Sequence, residues 1–198
     1  MIREQYKILC QSSLEQCASY YQAELQPLCS VSLDSPAVEV MTDLKRVQAF
    51  TIGPDATLNS VNKAMMRNTV HALLVADENR CILGIITSTD IQGEMPMQIV
   101  RERGVRFEEV LARDIMTPRE RLEVIDYEDV CAAEVGHVVA TLKWTGRQHA
   151  LVAEDDVSGR QMIRGIFSAS RIARQLGMAV NTIQIASTFA EIKAAIAH

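Results

Sequence analysis

The chain contains no C-x-x-C pair. Its five cysteines, Cys10, Cys17, Cys29, Cys81 and Cys131, are odd in number. Both facts argue against a disulfide framework or a zinc site and for a reducing compartment. No apolar run reaches the roughly 18 residues that a membrane span needs. Arg3, Glu4 and Lys7 interrupt the start, so no signal-peptide core is expected. The expected location is cytoplasmic, with no membrane partner. A basic excess is also lacking: 20 Lys and Arg stand against 25 Asp and Glu, a formal net charge of −5, which speaks against a nucleic-acid partner. The local cation clusters at Lys45-Arg46, Arg101–Arg106 and Arg119–Arg121 read as solvated helix ends and loops.

Catalytic and metal signatures are equally scarce. The four histidines, His71, His137, His149 and His198, form no i, i+4 pair beside a carboxylate, so no metal site is expected. There is no G-x-S-x-G, no G-x-x-x-x-G-K-[ST] and no G-x-G-x-x-G. The paired acids Asp155-Asp156 fall in a turn pattern and read as solvated. The expectation is a chain that is not an enzyme and carries no cofactor.

What is present is a repeat. Val40-Met41-Thr42-Asp43 returns as Ile115-Met116-Thr117-Pro118, Val70 to Val75 returns as Gln148 to Val152, and Gly84-Ile85-Ile86-Thr87 returns as Gly165-Ile166-Phe167-Ser168. Met41 and His71 are 30 positions apart, Met116 and His149 are 33, a difference that a loop absorbs. Each half opens with an extended segment, Ala49–Ile52 or Leu122–Ile125. A helix follows, with Leu58, Val61, Ala64 and Met65, or Val135, Val138, Val139 and Leu142, at helical spacing. Gly136 is a candidate break in the second of these. Two strands come next, Ala72–Ala76 with Cys81–Thr87 and Ala150–Glu154 with Met162–Ser168, the latter pair joined by a turn at Ser158-Gly159. A helix near Ile91 or Ile172 closes each half.

One such unit has too few strands to bury both faces of its sheet. The fold expected is therefore α/β: two pseudo-symmetric β-α-β-β-α units packed sheet to sheet, with a cleft between them. The flanks lie outside the repeat. Leu14, Cys17, Ala18, Tyr21 and Leu25 suggest an amphipathic N-terminal helix, and Thr188-x-x-Glu191 is a capping box that opens a C-terminal one. Both flanks read as caps or as surfaces for a second copy. At Gly84 to Ile91 a strand runs into a helix start with hydroxyls and a carboxylate at the junction. Thr87 and Asp90 there suit either plain capping or a ligand's ribose and phosphate.

The ordered pairs Val40-Met41-Thr42, Gly53 to Leu58, His71 to Asp77 and Gly84 to Ile91, answered by Asp114 to Pro118 and Gly165 to Ser168, resemble the CBS (cystathionine-β-synthase-like) domain family in its tandem form, over about Val38 to Gly177. The resemblance implies a free-standing module with an N-terminal helical flank at 1–37, a first motif at 38–95, a linking helix at 96–112, a second motif at 113–177 and a C-terminal strand and helix flank at 178–198. It also implies a non-catalytic regulator that binds an adenosine-containing ligand, AMP, ADP or ATP, at Thr42, Val70, His71, Ala72, Thr87 and Asp90, and signals to an unknown regulated protein in trans. The other reading is a ligand-free dimerisation scaffold. A homodimer is expected in either case. In the second half Thr117, His149, Ser168 and Arg171 occupy the matching positions, and Arg171 replaces the aspartate. Arginine cannot accept from ribose hydroxyls. It is expected to meet an anion, a carboxylate of the protein in preference to a ligand phosphate.

Overall fold

The computed structural model describes residues 31–177. The amphipathic Leu14–Leu25 segment, the Thr188 capping box, Cys10, Cys17, Cys29 and His198 lie outside these residues.

The first half runs from a 3-10 turn at Ala37–Val40 into strand β1 (Thr42–Asp43), β2 (Thr51–Ile52), helix α1 (Leu58–Asn68), β3 (Ala72–Ala76), β4 (Ile82–Thr87) and α2 (Ser88–Gln92). Helix α3 (Met95–Arg103) links to the second half. There follow α4 (Ala112–Ile115), β5 (Thr117–Pro118), β6 (Val124–Asp126), α5 (Tyr127–Ala132), α6 (Val135–Thr145), β7 (His149–Asp155), β8 (Gln161–Ser168) and α7 (Ala169–Gln175). The repeat read from the sequence is thus a repeat of elements.

Alternation sorts each strand's side chains into two layers. Leu73, Val75 and Ile86 face a core with Leu58, Val61, Ala64 and Met65 of α1, while Leu74 and Ile85 face the other way. In the second half Val152 and Phe167 pack with Val135, Val138 and Leu142 of α6, and Leu151 faces Leu74 and Ile85 across the sheets. Three apolar layers result, and the middle one joins the two sheets face to face as the repeat required. Gly136 does not break α6. It lies in the first turn, where its amide has no helical partner, and it donates to the Leu33 carbonyl at 2.8 Å.

The sheets differ from the sequence units in one respect. Their strand orders are β1-β8-β7-β6 and β2-β3-β4-β5. The Met-Thr segment that opens each half therefore supplies the edge strand of the other half's sheet: Thr42 pairs antiparallel with Ile166, and Thr117 with Ile85. Two glycines make room for this exchange. A Cβ on Gly165 would meet Met41, and one on Gly84 would meet Met116 and the Thr117 carbonyl.

Candidate functional site

The exchange of edge strands builds a cleft from both repeats. The first half contributes Thr42, Lys45, Arg46, Phe50, Val70, His71 and Ala72, and the second contributes His149, Arg164, Ile166, Ser168, Ser170, Arg171 and Arg174. Its volume is about 1300 Å³. Val70, Ala72, Phe50 and Ile166 form apolar wall, and the cations Lys45, Arg46, Arg164, Arg171 and Arg174 stand in the lining with the carboxylates Glu39 and Asp43.

Three of those cations share two carboxylates of the protein. Arg164, only 9% exposed, is ion-paired with Asp43 and lies 3.2 Å by Nε from Glu154 Oε2. Its guanidinium also sits 4.6 Å over the Tyr127 ring. Lys45 pairs with Glu154, and Arg46 lies 3.5 Å from Asp43. Lys45 and Arg46 are exposed, as expected of solvated loop residues, and stand at the edge of the cleft.

Arg171 is arranged differently. Its Nη1 donates to Thr42 Oγ1 at 2.8 Å, a contact from α7 of one repeat to the edge strand contributed by the other. Among the described residues no Asp or Glu oxygen lies within 4 Å of it, so the carboxylate partner expected for Arg171 is not among them. Two carboxylates at the cleft, Asp43 and Glu154, are engaged by Arg164. At the rim, Ser168 Oγ and Ser170 Oγ share a hydrogen bond of 3.1 Å. The His149 ring is half-buried beside them, with no partner for its Nδ1. Burial, with a smaller contribution from the charge of His71, pushes its pKa down to about 4, so the ring is neutral near pH 7.

The structure divides the residues expected to form the first site. Thr42, Val70, His71 and Ala72 line the cleft just described, together with His149, Ser168 and Arg171 from the second-half set. Thr87 and Asp90 do not line it. Asp90 Oδ2 accepts from the Thr87 amide and from Thr87 Oγ1, both at 2.7 Å, which makes the pair a reciprocal cap on α2. Thr117 joins them on the other sheet, opposite Ile85. The sequence order of the motifs could not show this division, because each half's Met-Thr segment travels to the other half's sheet. Arg174, which the motif comparison passed over, lies one helical turn beyond Arg171 on the cleft side of α7; the i, i+3 spacing is its only signal in the sequence. Among the described residues no group of His, Cys, Asp and Glu is placed to hold a metal ion, and no helix is long and apolar enough to cross a membrane.

Comparison with known proteins agrees with this architecture. The family model described as CBS domain matches residues 30–96. No curated protein sequence matches the chain. Among solved structures, an uncharacterized conserved protein from Pyrococcus horikoshii superposes with a TM-score of 0.52 at 19% identity, over 77% of this chain and 99% of that one. A structure described as a CBS domain gives a TM-score of 0.50 at 18% identity, over 68% and 96%. CBSX2 of Arabidopsis thaliana, solved in complex with AMP, gives 0.49 at 16% identity, over 71% and 94%. Residues 30–96 thus match the CBS domain family model, and the chain shares the fold of a solved structure described as a CBS domain.

Proposed function

We propose that the chain is a non-catalytic regulatory module whose inter-repeat cleft holds an adenosine-containing ligand, AMP, ADP or ATP, and reports its presence to a protein partner in trans. The observation that carries this reading is the cleft itself. It is large enough for a nucleotide, since small-molecule sites commonly span some 300–1,000 Å³, and it sets apolar wall at Val70, Ala72 and Ile166 against guanidiniums at Arg171 and Arg174. Such a surface suits a flat base at one end and phosphate at the other. The CBS domain match supports the ligand class, because that family senses adenosine-containing compounds. The residues assigned to this cleft are Thr42, Val70, His71, Ala72, His149, Ser168 and Arg171. Thr87, Asp90 and Thr117 form the pseudo-equivalent position on the other sheet.

The second reading, a ligand-free scaffold, is favoured by one observation: Asp90 already has a full structural role as a cap. A thermal-shift and calorimetric panel of AMP, ADP, ATP and S-adenosylmethionine separates the two. A ligand at 100 times its Kd stabilises the native state by about 2.7 kcal/mol, which raises Tm by several degrees in a chain this size. No shift with any compound leaves the scaffold. Turnover of any of them removes the non-catalytic reading. The expected homodimer belongs to the same proposal: Trp144 and Met66 stand 91% and 73% exposed, and light scattering on the same samples reads the particle mass.

A further inference from the structure

Arg171 occupies the position that Asp90 holds in the first repeat, and its surroundings describe the ligand it suits. A guanidinium offers five donors and no acceptor. One is committed to Thr42 Oγ1, and no protein carboxylate among the described residues lies within 4 Å to take the others. Arg174 follows one turn later on the same helix, also without a carboxylate within that distance. Lys45, Arg46 and Arg164, by contrast, are ion-paired with Asp43 and Glu154. Among the described residues the cleft's cations without an ion pair are therefore the two on α7, Arg171 and Arg174, and the lining also carries one carboxylate without an ion pair, Glu39. Beside it the His149 ring presents a buried Nδ1 without a partner. A ribose diol needs an acceptor that Arg171 cannot provide, whereas phosphate oxygens match its fork and cancel its charge.

We propose that this cleft selects its ligand by the phosphate chain, through Arg171 with Arg174 beside it, and not by the ribose hydroxyls: the ligand class is a polyphosphate anion, with a triphosphate held more tightly than a monophosphate. Thr42 then acts as the positioning residue that aims the guanidinium across the repeat boundary. The inference deepens the adenosine reading and rests on it for the identity of the remainder of the ligand.

The test is calorimetric titration of the full chain, at matched ionic strength, with ATP, AMP, adenosine and inorganic tripolyphosphate, repeated on Arg171→Ala and Arg171→Lys. The expected result is that the wild type binds tripolyphosphate, and that Arg171→Ala weakens ATP and tripolyphosphate by about 10- to 150-fold, the range of one hydrogen bond to a charged group. Adenosine is unchanged, and Arg171→Lys recovers part of the loss by restoring charge without the fork. Circular dichroism establishes that each variant is folded, and the lysine variant decides the matter if the alanine variant is not. A wild type that does not bind tripolyphosphate, or a variant that loses adenosine as much as ATP, overturns the proposal. Binding of ATP unaffected by Arg171→Ala overturns it and leaves the adenosine reading standing. Tripolyphosphate binding as tight as ATP supports it and removes the adenosine reading.

Discussion

His149 shows how one side chain turns burial into a dependence on pH. Its ring packs at the start of β7 and stays neutral because the folded protein offers the charged form little solvation. The unfolded chain protonates it near the ordinary 6.5, the folded protein at about 4. Stability from this group is therefore fully present above pH 6.5 and is lost as pH falls toward 4. The loss amounts to about 2 kcal/mol at pH 5 and about 3 kcal/mol at pH 4. Urea denaturation of the wild type and of His149→Gln between pH 7 and pH 4.5 checks this, and the variant is expected to have the flatter profile. Parallel profiles would show that another group carries the acid sensitivity. An anion bound beside the ring would favour the charged form and lessen the loss.

At the scale of the element, the two edge strands and their glycines make the sharpest forecast. A Cβ on Gly165 would approach Met41 Cγ to 2.7 Å, and a thioether side chain can move aside. One on Gly84 would approach Met116 Sδ to 2.9 Å and would also press on the Thr117 carbonyl, which is backbone held in the β4–β5 ladder. Gly165→Ala is expected to cost about 1–3 kcal/mol, as overpacking commonly does, and Gly84→Ala more, because the strand itself must shift. Equilibrium unfolding of the pair reads the order, and the reverse order would refute the argument. These glycines also mark how far the sequence could be read. The repeat, the helices α1 and α6 and the central strands were legible, because Leu58 to Met65 and Leu73 to Val75 carry their own periodicity. The exchange of β1 and β5 was not. A two-residue strand has no period, and its partner is chosen by packing against a distant glycine. Arg171 was visible as a departure from the repeat, but its partner Thr42 was not, because the two are 129 positions apart and meet only through the exchanged edge strand.

On the scale of the whole molecule, neither half is complete by itself. The first sheet borrows Thr117–Pro118 and the second borrows Thr42–Asp43, while Leu74, Ile85 and Leu151 form a single apolar layer between them. Calorimetric unfolding is expected to show one cooperative transition, with no half melting first. Two separated transitions would mean that the halves are independent domains that happen to touch. Fragments cut between Arg103 and Leu111 should each lack a folded near-ultraviolet signal and regain it when mixed.

The borrowed strands also determine how a disturbance travels. Thr42 is at once a rung of the second sheet, a residue of the first repeat and the anchor of Arg171. The two halves are in this sense wired in series: a pull on the guanidinium from within the cleft is felt first by a short stretch of chain that both sheets share, and the 3-10 turn at Ala37–Val40 is the next component in the circuit.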